Sequence, residues 1–230
     1  MKKNYVKERY TEFAEWYRNR GIGGSSVSAL FDENKYLSAI DIYLASLFPN
    51  QEPVETENEN TRYGKVAEPI IRDIVKLNFE GKYKVHTPKG YELYRDINYP
   101  FLTATLDGTM TDLETKEKWV LEIKTREMLN ASDEEEWNGH IPQRYFIQVL
   151  HYLGVLNDFV GAYLVAKLRW VDFDTGLVKR EEIRYYKLLR KDFEQDIELV
   201  RQKAIDFELN NIEAKCPPDI NIGILRKEEN

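Results

Sequence analysis

Trp119-Val120-Leu121-Glu122-Ile123-Lys124-Thr125 reads as an apolar strand interrupted by one acid and one amine two positions apart. Side chains on a strand alternate in direction, so Glu122 and Lys124 leave from one face while Val120, Leu121 and Ile123 fill the surrounding core. Leu106-Asp107-Gly108 lies in the preceding turn. An acid there can share a divalent cation with Glu122, and the Ile123 carbonyl can add one more oxygen; such oxygen-rich sets suit Mg²⁺ or Mn²⁺. A cation of this kind lowers the pKa of a bound water and neutralises charge on a phosphate, while the Lys124 ammonium can orient that water or steady the transition state. That is the chemistry of phosphodiester hydrolysis. A charged pair at this spacing is also what a half-exposed sheet face carries, so other segments must decide.

A chain of 230 residues with 42% hydrophobic content can bury a full core, and no break in composition divides it. One globular domain, 1–230, with appended elements is expected. No apolar run is long enough to span a bilayer, and Lys2 and Lys3 are followed by polar residues rather than an apolar leader. A soluble, cytoplasmic protein is therefore expected, with no membrane partner. Cys216 is the only cysteine, which excludes an intramolecular disulfide and any cysteine-based zinc or iron–sulfur site. The net charge of −7 counts against simple nucleic-acid binding. Much of the acid sits in residues 52–59 and 133–136, which read as solvated loops. Arg18, Arg20, Arg62, Lys65, Arg126 and Arg144 leave room for a local positive groove.

Residues 11–18 suggest a short helix leading into Gly21-Ile22-Gly23-Gly24-Ser25-Ser26. Glycines followed by a capping serine can hold a phosphate on free N–H groups and hydroxyls, or form an ordinary N-cap. Over 61–79, Val66, Ala67, Ile70, Ile71, Ile74, Val75 and Leu77 recur at helical spacing and define one buried arc. Glu68 falls just outside that arc, beside Val75 and away from Arg72 and Lys76. Pro69 implies that the helix starts near Glu68 or kinks there. Residues 83–87, 91–95, 101–106, 108–112 and 118–125 read as a meander of strands. After Pro142 a helix with an apolar face of Tyr145, Phe146, Val149, Tyr152, Leu153 and Leu156 is expected. Taken singly, Gln148 reads as a solvated amide, Tyr145 and Tyr152 as core packing, and His151 as an exposed polar residue. Residues 162–172 and 177–189 read as strands joined at Asp174-Thr175-Gly176. Phe193, Ile197, Val200, Ala204 and Phe207 mark a long amphipathic helix, and 226–230 read as a mobile tail.

Four segments carry a resemblance. They are Trp16-Tyr17-Arg18 with Gly21-Ile22-Gly23-Gly24-Ser25; Gly64-Lys65-Val66-Ala67-Glu68-Pro69; Leu106-Asp107-Gly108 followed by Leu121-Glu122-Ile123-Lys124-Thr125; and Ile141-Pro142 with Tyr145, Gln148-Val149 and His151-Tyr152-Leu153. In this order they resemble the PD-(D/E)xK nuclease core, and more closely the lambda-exonuclease or YqaJ-type family of phage recombination nucleases, across residues 16–167. The resemblance implies an α+β (α/β) fold with a central mixed β-sheet flanked by helices. It places a helical phosphate-binding element at 1–50, the catalytic core at 61–170, and a hairpin and helix at 171–215.

By the same resemblance Asp107, Glu122 and the Ile123 carbonyl hold one metal, and Glu68 with Asp107 helps hold a second. Lys124 positions or activates the attacking water, and Gln148 supports the water or phosphate from the facing helix. Arg18, Ser25 and Ser26 receive a 5′-phosphate, although Ser26 stands where the family often carries an acid. Arg20 lies near the spacing of Arg18, and Arg20, Lys65, Arg126, Arg144 and Tyr152 are further candidate DNA contacts. The implied function is a Mg²⁺-dependent deoxyribonuclease, with Mn²⁺ as a substitute and two ions per site, that digests duplex DNA 5′ to 3′ and leaves 3′ single-stranded tails. The resemblance further implies a homotrimeric ring on duplex DNA ends, a single-strand annealing partner and a phage or prophage origin in a bacterial host. A related endonuclease or resolvase, or a catalytically dead DNA-end-binding protein, remains the alternative.

Overall fold

In the computed structural model, which describes residues 2–48, 58–172 and 174–219, the strand bearing Glu122 and Lys124 is β6 (Lys118–Met128), central in a five-stranded sheet. On one side it pairs antiparallel with β5 (Gly108–Asp112), which pairs with β2 (Tyr83–His86). On the other it runs parallel to β7 (Phe159–Val171), which pairs antiparallel with β8 (Val178–Leu189). Parallel neighbours cannot be joined by a tight turn, so the chain crosses over through a helix, α6 (Gln143–Val155). The opposite face is covered by α4 (Glu59–Asn78).

Burial on both faces explains the near-continuous apolar run of β6. Trp119, Leu121 and Ile123 pack with Ala67, Ile71 and Val75 of α4, whereas Val120 packs with Ala162, Leu164 and Val149 on the α6 side. Each fully buried aliphatic side chain of this kind contributes about 1.5–3 kcal/mol over exposure. Glu122 and Lys124 share the parity of Val120 and therefore stand on the face turned to α6.

A second, three-stranded sheet lies apart from the first in the order β1 (Tyr5–Tyr10), β3 (Tyr91–Asp96), β4 (Thr103–Ala104). The five segments expected as one meander are thus divided between two sheets. The strand foreseen at 101–106 is only two residues long. The strands expected at 162–172 and 177–189 form the far side of the central sheet, where β8 pairs along β7. Their turn has Gly176 at φ +68, where the left-handed backbone favours glycine. The final helix, α7 (Glu194–Phe207), turns Ile197, Val200, Ala204 and Phe207 into the core shared with α6.

Four further expectations are corrected. Helix α4 begins at Glu59, capped by the Asn58 side chain accepting from Thr61 N, and runs unbroken through Pro69. Its buried side is Ala67, Ile71, Arg72 and Val75, so Val66, Ile70 and Leu77 of the expected arc face solvent. Residues 133–136 are not a solvated loop: α5 (Ala131–Glu135) is capped by Asn130, Asp133 is buried against Arg126, and Glu136 binds Arg144 and Lys35. His151 is buried rather than exposed; its Nε2–H donates to the Thr103 carbonyl at 2.9 Å, and burial lowers its pKa to about 4. The expected tail at 226–230 and most of the acidic run at 52–59 lie outside the described residues. Among the described residues no helix is long and apolar enough to cross a membrane.

Candidate active site

Asp107 is the residue before β5, at the point where β5 and β6 stop pairing. Its Oδ2 accepts from the Ile123 N–H at 2.7 Å, filling the place that a further strand residue would have taken. The N–H and C=O of one strand residue leave from the same edge, so the Ile123 carbonyl is turned toward Asp107 as well. One strand later in the same layer stands Glu122, 2% exposed. Its Oε1 lies 2.6 Å from Lys124 Nζ and accepts from Gln148 Nε2 at 2.7 Å. Its Oε2 is buried with no hydrogen-bond partner.

The helix α6 supplies the other wall. Gln148 is buried, and its Nε2 also donates to the Tyr152 hydroxyl at 2.7 Å. Lys124 Nζ lies over the Tyr145 ring, 4.9 Å from its centre. From α4, Glu68 approaches the same cluster but is held by Arg72, whose Nε donates to the Asp107 carbonyl at 2.8 Å. Residues four apart on a helix lie nearly above one another, which is why Glu68 meets Arg72 rather than pointing away from it.

Three carboxylates beside one ammonium and one guanidinium remain under-compensated once their burial is counted. Burial, and then the charge of Asp107, push Glu122 up to about 8, although Lys124 opposes the shift. Burial raises Asp107 against Lys124, the Ile123 N–H and Arg72, and burial followed by Asp107 raises Glu68. Burial alone lowers Lys124, yet the charges of Glu122 and Asp107 outweigh it and its pKa is raised. Among the described residues no three Asp, Glu, His or Cys side chains already close round one point. The donors nevertheless fit a hard divalent cation: two carboxylates and a carbonyl, an orphaned buried oxygen on Glu122, and anions whose charge is held off by their surroundings.

Beside this cluster Arg20 Nη2 donates to Ser25 Oγ at 3.1 Å and its guanidinium lies over the Trp16 ring. Arg18 is exposed and outside this contact, so Arg20 is the arginine that meets Ser25. The Ser26 hydroxyl is spent on Gly23, accepting from its N–H and donating to its carbonyl. Gly24 rests on α6, where a Cβ would stand 2.4 Å from the Tyr152 ring and 2.8 Å from Gln148 Cγ. The Arg20–Ser25 turn is thereby packed directly against the residues that hold Glu122. Of the expected DNA contacts, Lys65 is exposed, Arg126 pairs with Asp133 at 2.5 Å, and Arg144 pairs with Glu136 at 3.0 Å. Tyr152 is 4% exposed, and its hydroxyl accepts from Gln148. Arg72 was not among the expected site residues; its signal in the sequence was the four-residue spacing from Glu68.

A central mixed sheet with an acid at a strand end, Glu-x-Lys on the next strand and a crossover helix facing them defines the PD-(D/E)xK class of fold. Residues 13–159 match the YqaJ-like viral recombinase domain, and the chain belongs to that family. It is 29% identical over 196 residues to the uncharacterized protein YqaJ of Bacillus subtilis (strain 168), a match covering 83% of this chain. The chain spans 56% of that relative's length. Among solved structures it is similar to the alkaline exonuclease LHK-Exo of Laribacter hongkongensis, with a TM-score of 0.58 and 17% identity over 93% of this chain and 96% of that one. The same exonuclease in complex with dAMP gives a TM-score of 0.59, at 17% identity and the same coverage of both chains. A phage-related exonuclease of Haemophilus somnus 129PT gives 0.53 at 13% identity, over 89% of this chain and 100% of that one. At these identities the likeness is one of fold.

Proposed function

We propose that this chain is a Mg²⁺-dependent exonuclease that digests one strand of duplex DNA from its 5′ end and leaves a 3′ single-stranded tail for phage-type recombination. The observation that carries the reading is buried Glu122 beside Asp107, with one carboxylate oxygen unpartnered and Lys124 on the same strand face. Family membership and the exonuclease-like fold support it.

Asp107, Glu122 and the Ile123 carbonyl would hold the cation, which when bound supplies an activated water and neutralises phosphate charge. Gln148 fixes the orientation of Glu122, so that the unpartnered Oε2 is the oxygen offered to the site. Lys124 brings a positive charge to the attacking oxygen or the scissile phosphate, held in place by Glu122 and the Tyr145 ring. Arg20 and Ser25 would take the 5′-terminal phosphate through charge-assisted hydrogen bonds. Duplex DNA ends are the substrate in this reading. The family resemblance adds a homotrimeric ring, a single-strand annealing partner and a cytoplasmic site of action in a bacterial host.

The test pairs linear duplex with covalently closed circular DNA in Mg²⁺. Degradation of the linear form alone is expected. Cutting of the circle would transfer the same residues to an endonuclease, and intact DNA in both tubes would leave an end-binding protein without turnover.

A further inference from the structure

Arg72 is a buried cation among the acidic elements of the site, and the chemistry above does not use it. It is 6% exposed. Its Nε donates to the Asp107 carbonyl at 2.8 Å, while its Nη2 engages the Glu68 carboxylate one helical turn earlier. The guanidinium therefore ties α4 to the turn before β5, where the charge of Asp107 acts on Glu68. An arginine keeps its charge at any working pH, so this is a permanent cation. The bond occupies one oxygen of the Glu68 carboxylate, and the permanent positive charge beside the other opposes a second cation there.

We propose that Arg72 is a positioning residue standing in for a second cation: it holds one oxygen of Glu68 and sets a fixed positive charge beside the other, so the site takes one divalent ion tightly, on Asp107, Glu122 and the Ile123 carbonyl, and a second only weakly. This rests on the metal-dependent reading above. It also assigns Glu68 a different part from that of an equal ligand. Glu68 steadies Arg72, and Arg72 steadies the Asp107 turn through its backbone.

Mn²⁺ binding to the full chain, counted by electron paramagnetic resonance and calorimetry without DNA, tests this independently of turnover. The native chain should bind one Mn²⁺ tightly and a second roughly ten- to a hundredfold more weakly, the cost of breaking a charged hydrogen bond. Glu68→Gln should leave the first affinity within about twofold. Arg72→Gln should tighten the second site by roughly ten- to a hundredfold, and Arg72→Lys, which keeps the charge, should fall nearer the native chain. Two equally tight ions in the native chain, or a tenfold loss at the first site in Glu68→Gln, would overturn the proposal. Should Arg72→Gln fail to fold, Glu68→Gln decides alone. No Mn²⁺ binding by the native chain, or binding untouched by Asp107→Ala, would sink the metal reading itself and this proposal with it.

Discussion

Replacing Glu122 by Gln should stabilise the metal-free protein while removing the proposed nuclease activity, and the gain should grow with pH. The folded chain holds Glu122 at about 8, against 4.5 ordinarily, because burial and Asp107 disfavour its charge. Below pH 4.5 the group is protonated whether the chain is folded or unfolded, and it makes no difference. Between 4.5 and 8 the unfolded chain releases the proton and the folded chain keeps it, so stability falls as pH rises. At about 1.36 kcal/mol per pH unit the loss reaches about 3 kcal/mol at pH 7 and about 5 kcal/mol above pH 8. Gln148 can still donate to the new side-chain carbonyl, and the amide nitrogen takes the position of an oxygen that already lacks a partner. For a chain of this size the difference at pH 7 corresponds to roughly 6–12 °C in melting temperature. Melting curves of both proteins in EDTA from pH 5 to pH 9 measure it, and saturating Mn²⁺ should narrow the gap by stabilising the native chain alone. A variant no more stable than the native chain, or a difference that does not change with pH, would refute the reasoning.

Other substitutions test other parts of the site. Asp107→Ala and Lys124→Ala should each lower cleavage by at least about a hundredfold with the fold retained, as loss of an electrostatic catalytic group does; near-native rates in either would remove that residue from the chemistry. Arg20→Ala should blunt discrimination between 5′-phosphorylated and 5′-hydroxyl ends more than Arg18→Ala, since Arg20 is the one bonded to Ser25; equal effects in competition digests would contradict this. Gly24→Ala should cost about 1–3 kcal/mol by overpacking and slow cleavage as well, because its Cβ would strike Tyr152 and displace Gln148; an unchanged melting temperature would show that the turn can move.

The site strand was legible because residues 119–125 of β6 are apolar on both faces and the two charges within that stretch, Glu122 and Lys124, stand out against it. Asp107 was legible from the turn before it. The edge strand β1 was not, since only Tyr5 of its six residues is buried and the rest carry no alternation to read. The buried side of α4 was misjudged because Val66, Ile70 and Leu77 are apolar yet exposed, while Arg72 takes a core position by pairing with Glu68. His151 and Gln148 are polar residues on a helix enclosed by the sheet, α7 and the segment around Gly24. Helical periodicity sees one helix at a time, so it cannot register that enclosure. Asp133 and Glu136 look like a charge run in sequence and become ion-pair partners only once Arg126, Arg144 and Lys35 are brought beside them.

The most direct test follows the two strands of a linear duplex separately. One end carries a 5′-phosphate and a 3′ label on the complementary strand, and the protein is supplied with Mg²⁺, with EDTA and Asp107→Ala as controls. Progressive loss of the 5′-phosphorylated strand to mononucleotides, with the labelled strand surviving as a 3′ tail and neither control active, is the predicted result. Loss of the labelled strand from its 3′ end, or digestion that persists in EDTA or in Asp107→Ala, would contradict the account.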